Sequence, residues 1–106
     1  MYTTIETPVF QRQAHSLWSE DEREDFIGFI SNNPLAGEVI PGTGNLRKVR
    51  WAREGMGKRG GARVIYYNRL ASGEIVLLTV YAKTKFEDLP TEFLLQLKER
   101  FNDRQD

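Results

Sequence analysis

Apolar residues recur at helical spacing in the first third of the chain. A short amphipathic helix is predicted from one such set, which comprises Phe10, Ala14, Leu17 and Trp18. Ser19 and Glu22 form a capping-box pattern, so a second helix should begin near Glu20 and bury Phe26, Phe29 and Ile30. Asn33 and Pro34 end this helix, because proline disfavours a helical conformation in the residue before it. Weak alternation over residues 2–6 predicts a short strand ahead of both helices.

The second half of the chain is rich in β-forming residues. Three runs cover residues 46–52, 62–69 and 74–83, and a glycine-rich loop and a tight turn separate them. This spacing predicts an antiparallel meander. The irregular segment 35–45 has room for one more short strand at 38–40. A C-terminal helix over residues 90–101 is predicted from apolar residues on one side, which are Phe93, Leu94, Leu97 and Phe101.

The predicted order β-α-α-βββ-α is typical of an α+β domain. Two N-terminal helices should pack on one face of a mainly antiparallel sheet, followed by the C-terminal helix, and the other sheet face should stay open. A chain of 106 residues can bury one core, so residues 1–106 are expected to form a single domain.

Charge is unevenly distributed although the chain has fifteen basic and fifteen acidic residues. Residues 47–63 contain seven bases and only one acid, Glu54, whereas residues 1–34 contain six acids and two bases. A concentrated cationic site next to Trp51, Tyr66 and Tyr67 favours a nucleic-acid ligand. The alternative is a solvated hairpin whose cations only provide solubility.

Strand alternation gathers the cations on one face. If Val49 and Trp51 face the helices, Lys48 and Arg50 face the other way. In the next strand Val64 and Tyr66 should face the helices, which leaves Arg63, Ile65 and Tyr67 opposite. In the last strand we expect Val76, Leu78 and Val80 on the helix side, leaving Tyr81 and Lys83. Structural alternatives are an ion pair of Arg63 with Glu38 or Glu54 and a packing role for Tyr81.

Several other kinds of protein are excluded by composition. The chain has no cysteine and no apolar run of the roughly 20 residues that a membrane helix needs. No secretory signal is visible, so a cytoplasmic location is expected. His15 is the single histidine and lies outside the basic segment, which excludes a two-histidine mechanism. Helix-start acids explain the acidic cluster at residues 20–25, and solvated residues at a helix entry explain Glu87 and Asp88, so no metal site is expected. The glycines match no Walker loop, so no cofactor is expected either.

Two segments together resemble a known family. GTGNLRKVRWAREGMGKRGGARVIYY, followed by IVLLTVYAKTKFEDL, is similar to the RelE/HigB superfamily of type II toxins, in particular to its HigB-type branch. The resemblance implies a compact microbial-ribonuclease-like (RelE-like) fold and ribosome-dependent endoribonuclease activity (mRNA interferase), with mRNA in the ribosomal A site as substrate. It also implies a cognate antitoxin, expected to be a helix-turn-helix protein that alone contacts operator DNA.

The same resemblance implies that Lys48, Arg50, Lys58, Arg59 and Arg63 hold and polarise the scissile phosphate, and it places Tyr81 and Lys83 in the matching final-strand motif. Together with the basic and aromatic residues of the cationic segment, this predicts a catalytic set and an RNA-binding set. The catalytic set is Lys48, Arg50, Arg63, Tyr81 and Lys83, and the RNA-binding set is Arg47, Arg53, Lys58, Arg59, Trp51 and Tyr67. The best-known RelE members carry a tyrosine in the C-terminal segment, which here reads FEDLP. The acid and base therefore stay open, with Lys48, Tyr81 and Lys83 as candidates.

The expected chemistry is attack of a ribose 2′-OH on the adjacent phosphate without a metal ion. The reference pKa of lysine is about 10.4 and that of arginine is higher still, so near neutrality both residues should act mainly by stabilising charge. Two further interpretations are a non-catalytic RNA- or ribosome-binding module and a partner protein in an antitoxin–DNA repressor complex.

Overall fold

The computed structural model describes residues 2–52, 61–83 and 89–104. In these ranges three α-helices and five strands form an α+β arrangement, as predicted. They are β1 (Thr3–Glu6), α1 (Pro8–Leu17), α2 (Glu20–Asn32), β2 (Glu38–Val39), β3 (Arg47–Trp51), β4 (Ala62–Arg69), β5 (Glu74–Ala82) and α3 (Thr91–Arg104). None of the described helices has the length and apolar character that crossing a bilayer requires.

The five strands form one sheet in the order β1-β5-β4-β3-β2. Strands β3, β4 and β5 pair antiparallel in sequence order, so the predicted meander is confirmed. Strand β2 pairs antiparallel with β3, and β1 adds to the far edge parallel to β5. Gly73 has φ +70° in the tight turn before β5, a conformation that favours glycine.

Helices α1 and α2 pack on one side of the sheet, which we call the helix face. Thr7 caps α1 ahead of Pro8, and Ser19 and Glu22 form the predicted capping box of α2. The aromatic rings of Trp18 and Phe26 lie 5.4 Å apart between the helices and the sheet. The core of this face comprises Phe10, Ala14, Trp18, Phe26 and Ile30 of the helical segment with Val49, Ala62, Val64, Tyr66, Ile75, Leu77 and Val80 of the strands.

Beyond the end of β1, the segment of helix α1 and its capping residue forms the hydrogen bonds along the edge of β5. The Thr7 hydroxyl donates a hydrogen bond to the Leu77 carbonyl (2.8 Å), and the Gln13 side-chain oxygen accepts one from the Val80 N–H (3.2 Å). The Thr79 hydroxyl also donates to Gln13. These bonds satisfy backbone groups that would otherwise be unpaired at a sheet edge. They fix α1 beside the C-terminal half of β5.

The pairing of β4 and β5 contains a β-bulge. Ile65 lies opposite Thr79, but the next residue, Tyr66, lies opposite Leu77, so Leu78 is an extra residue in β5. A bulge interrupts the strict alternation of side chains along a strand.

The bulge changes which side chains of β5 face the helices. Val80 lies in the helix-face core, as predicted, but Val76 and Leu78 lie on the opposite, second face. The prediction for Val76 and Leu78 was wrong because it continued one alternation through the bulge. Tyr81 comes after the bulge and lies on the second face, where it was expected.

Helix α3 covers part of the second face, so the prediction of an open face was wrong. Leu94 is buried there in a core with Leu46, Ile65, Tyr67, Val76, Leu78 and Tyr81. The Lys98 ammonium lies 4.9 Å from the centre of the Tyr67 ring and donates a hydrogen bond to Asn45 (2.6 Å). Phe93, predicted to be on the buried side, is 42% exposed, because Leu94 occupies the position that meets the sheet.

The segment before β2 packs against strands β3 and β4 through contacts of Pro34 and Gly37. The Tyr66 hydroxyl donates to the Pro34 carbonyl and accepts from the Gly37 N–H, both at 2.9 Å. A Cβ at Gly37 would lie 2.9 Å from the Lys48 carbonyl oxygen, so only glycine fits this approach. Burial raises the pKa of the Tyr66 phenol. The contacts hold the backbone of Lys48 in place.

Two adjacent leucines test the docking of α3. Leu94 is 2% exposed and Leu95 is 36% exposed. We expect Leu94→Ala to lower the free energy of unfolding by about 2–5 kcal/mol, since it removes packing and leaves a cavity. Leu95→Ala should change it by less than about 0.5 kcal/mol, as exposed substitutions usually do. Urea unfolding of both variants measures the difference, and equal losses would contradict the packing of α3 described here.

Candidate anion-binding site

Strand register brings cations from β3 and β4 together on the second face. Arg50 lies directly opposite Arg63, and Arg63 lies directly opposite Tyr81 of β5. Lys48 lies opposite Ile65, two residues along each strand, so it shares this face. We call Lys48, Arg50, Arg63 and Tyr81 the cation site. Its members come from three strands that the meander places side by side.

Arg63 is unusual because it is a charged residue with 6% exposure. A buried guanidinium normally has a carboxylate partner, since removing an unpaired charge from water is costly. Among the described residues no acidic side chain forms an ion pair with Arg63. Its cross-strand neighbour is instead another cation, Arg50, and like charges directly opposite each other destabilise a sheet. This arrangement is one that a bound anion would stabilise.

Gly61 provides space for the Arg63 guanidinium. It has φ +130°, and a Cβ there would lie 3.3 Å from Nη1 of Arg63. The Gly61 carbonyl accepts a hydrogen bond from the Lys83 N–H (3.2 Å), which ties the start of β4 to the end of β5. From the sequence, this glycine was predicted only to make the loop adaptable. A glycine next to a strand can also mark a close approach of another group, and the Gly60-Gly61 pair was the sequence signal for the approach of Arg63.

A cleft of about 410 Å³ lies beside the cation site. Lys48, Ile65 and Tyr81 line its sheet side, and residues from the turn after β2 and from the start of α3 line the rest, namely Ile40, Pro41, Leu89, Thr91 and Leu94. The walls combine a cation and a phenol with apolar side chains. Such a cleft offers charge for a phosphate and apolar surface for a sugar or base.

Other predicted site residues fall into two groups. Lys83 is exposed and follows directly after the end of β5, close to Gly61. Arg53, Lys58 and Arg59 lie outside the described residues, as does the alternative partner Glu54. The alternative pairing of Arg63 with Glu38 is wrong for the described chain, because Glu38 lies opposite Lys48 at the sheet edge and no Glu38–Arg63 ion pair is formed.

Three residues of the predicted RNA-binding set have structural contacts instead. Arg47 lies opposite Tyr66 on the helix face, and its guanidinium donates to the Gly37 carbonyl (2.6 Å). Trp51 lies on the same face with its ring 5.0 Å from that of Phe29. Tyr67 is on the second face as expected, but it is 3% exposed beneath Lys98 of α3. Arg47 and Trp51 lie on the face opposite the cation site and Tyr67 is buried, and a role of these three residues in RNA binding stays a prediction.

Comparison with known proteins supports the architecture. A solved structure titled as a mutant of the E. coli toxin RelE in the free state matches with a TM-score of 0.59, covering 81% of this chain and 87% of that chain. The chain has a RelE-like fold. Sequence identity to this toxin is 14%, and no family model matches the chain. Assignment to the HigB-type branch therefore stays a prediction.

The lack of a carboxylate partner for Arg63 within the described ranges has a measurable consequence. Even a buried ion pair can often be replaced by apolar side chains of similar volume with no loss of stability or with a gain of about 1–4 kcal/mol, and a buried charge without a carboxylate partner is less favourable still. We expect Arg63→Met to leave the free energy of unfolding unchanged or to increase it, because it also removes repulsion with Arg50. Ile65→Ala, two residues along the same strand, should cost about 2–5 kcal/mol. Urea unfolding at low salt measures both, and a large loss in Arg63→Met would reveal a structural partner for this arginine.

Proposed function

We propose that this protein is the toxin of a type II toxin–antitoxin system and acts as a ribosome-dependent mRNA endoribonuclease. The observation that carries the proposal is the buried Arg63, which faces Arg50 and lies on one surface with Lys48 and Tyr81. The RelE-like fold, shared with a protein titled as a toxin, supports the same assignment. The HigB-like motifs of the sequence include the same residues.

A phosphodiester is the anion that best matches this site. The planar guanidinium of Arg63 can donate two parallel hydrogen bonds to the non-bridging oxygens of one phosphate. Arg50 and Lys48 add positive potential from the neighbouring strand, and the adjacent cleft has apolar walls for the attached nucleoside. An RNA strand has a phosphate that can bind the cations and a ribose and base that can contact the apolar walls. A small inorganic anion could use only the cations.

The reaction that fits the site is internal transesterification of RNA. The ribose 2′ oxygen attacks the adjacent phosphorus, the bond from phosphorus to the 5′ oxygen breaks, and the products are a 2′,3′-cyclic phosphate and a 5′-hydroxyl. Negative charge increases on the phosphate oxygens in the transition state, where Arg63 and Arg50 stabilise it. Stabilisation of this charge is the main catalytic contribution that arginines can make.

Proton transfer requires groups other than arginine. One group must accept the 2′-OH proton and another must donate a proton to the leaving 5′ oxygen. Lys48 and Tyr81 line the same cleft, and Lys83 follows Tyr81 by two residues. We assign the two roles to this set of three. A site without histidine benefits from substrate alignment by the ribosome, because correct positioning alone removes a large part of the barrier.

The decisive experiment is a cleavage assay on ribosomes programmed with a defined mRNA. The wild-type chain should cut within the A-site codon, and the fragment ends should be a 2′,3′-cyclic phosphate and a 5′-hydroxyl. Replacing the attacking 2′-OH by hydrogen should abolish cutting. Arg63→Met should reduce the rate by about 10²–10³-fold, as loss of a transition-state hydrogen-bond donor does in other enzymes. Lys98→Gln, which removes a charge outside the cation site, serves as the control.

Different outcomes separate the two functional classes. Cleavage by Arg63→Met at the wild-type rate would contradict the proposed site. Arrest of translation without new RNA ends would instead favour a protein that binds RNA or the ribosome and does not cut.

The proposal includes a cytoplasmic location and a cognate antitoxin. An antitoxin that neutralises a cationic site needs acidic or amphipathic character where it contacts that site. We propose a small helix-turn-helix protein that supplies the contacts to operator DNA. A neighbouring reading frame of this kind, whose product suppresses toxicity on co-expression, would support this part of the proposal.

A further inference from the structure

Three clefts that share lining residues lie along β5, α1 and α3, and we call them together the groove. Tyr81 lines two clefts, the one shared with Lys48 and another of about 470 Å³ on its α1 side. The α1 wall of the second cleft is formed by Arg12, Gln13, Ser16 and Leu17. Tyr81 therefore lies between Lys48 and helix α1.

Arg12 connects the second cleft to a third cavity. It lines the cleft next to Tyr81 and also a cavity of about 140 Å³ between the start of α1 and the second half of α3. Arg100 of α3 lines that cavity from the opposite side. Its apolar walls include Leu78, Leu97 and Phe101. Two arginines from different helices thus meet at one small cavity on the second face.

The charged side chains that line the groove, among the described residues, are all positive. The described residues lining the three clefts include Lys48, Arg12 and Arg100, and none of them is acidic. On the other side of α1, by contrast, a cleft is lined by Glu6, Glu20, His15 and Arg23. Acids and bases are equal in number over the whole chain, so clefts whose charged lining residues, among those described, are all cations are a local feature. A surface of this kind attracts a polyanion.

We propose that Arg12 and Arg100 form a second phosphate-binding site for the same RNA strand, next to the scissile phosphate. This inference rests on the proposed function. Leu78 and Tyr81 are three residues apart on β5, which places the third cavity about 10 Å along the strand from Tyr81. An RNA bound at Lys48 and Arg63 would pass Tyr81 and reach Arg12 and Arg100 with a neighbouring phosphate. Neither arginine was among the site residues predicted from the sequence.

A protein segment is the competing occupant of the groove. RNA is favoured because the cations that line the clefts are spaced along them, and because the one at the sheet end, Lys48, shares its face with Arg50 and Arg63. Guanidinium groups bind phosphate oxygens with two parallel hydrogen bonds, and the apolar walls can contact a ribose or base.

Binding of a single-stranded RNA that cannot be cut tests the inference apart from catalysis. A labelled decamer with 2′-O-methyl groups throughout is titrated with the wild-type chain, with Arg12→Gln/Arg100→Gln and with Lys98→Gln at several salt concentrations. We expect the double variant to bind more weakly. Its log-affinity should also depend less on log-salt, by about 0.7 in slope for each phosphate contact that is lost. Lys98 is in the same helix as Arg100, but it contacts Asn45 and lines none of the three clefts. Lys98→Gln should therefore bind the RNA with the affinity and salt dependence of the wild type.

The outcomes distinguish this inference from the proposed function. If the double variant binds RNA with the wild-type affinity and slope, or if the wild type binds no RNA at low salt, the second phosphate site is wrong. The arginine pair would then be assigned to a protein partner. Failure of the proposed function is seen separately, as absence of mRNA cleavage by the wild type on programmed ribosomes.

Discussion

The structure depends on one electrostatic constraint, which is a buried arginine that faces another arginine across two paired strands. Arg63 and Arg50 are opposed by the register of β3 and β4, and the described chain places no carboxylate with Arg63. Keeping such a pair is unfavourable for folding by itself. The rest of the fold must supply enough packing to hold it, which two cores, one on each face of the sheet, provide.

The surrounding elements explain how the pair is held in place. On the helix face, Val49 and Val64 anchor the two strands against α1 and α2. On the second face, Leu94 of α3 covers part of the sheet, and the cleft beside it is lined by Lys48 and Tyr81 of the cation site.

The bulge in β5 decides where Tyr81 points. The extra residue, Leu78, puts Val80 into the helix-face core and thereby directs Tyr81 to the side of Arg63. With uninterrupted alternation from Leu77, Tyr81 would lie on the helix face, because the two residues are four positions apart. The phenol would then be on the wrong side of the sheet to join the cations.

Much of this architecture follows from local sequence signals. The capping box at Ser19, the helical spacing of Phe26 and Ile30, and the β-rich runs predicted the elements because each signal depends on a few neighbouring residues. Alternation also placed Lys48, Arg50 and Arg63 on one face. The bulge was not predictable in this way, since Val76, Leu78 and Val80 alternate without interruption. Coverage of the second face by α3 and the convergence of Arg12 with Arg100 depend on how distant elements pack, which no local pattern encodes.

A double-mutant cycle on Arg50→Gln and Arg63→Met, followed by urea unfolding at low salt, tests the central claim most directly. Without a ligand the two arginines should show a repulsive coupling, in the range of about 0.5–3 kcal/mol found for residues in contact. Repeating the cycle with saturating uncleavable single-stranded RNA should reverse the sign of the coupling, because both guanidinium groups then share one phosphate. The absence of coupling in either condition would contradict the account.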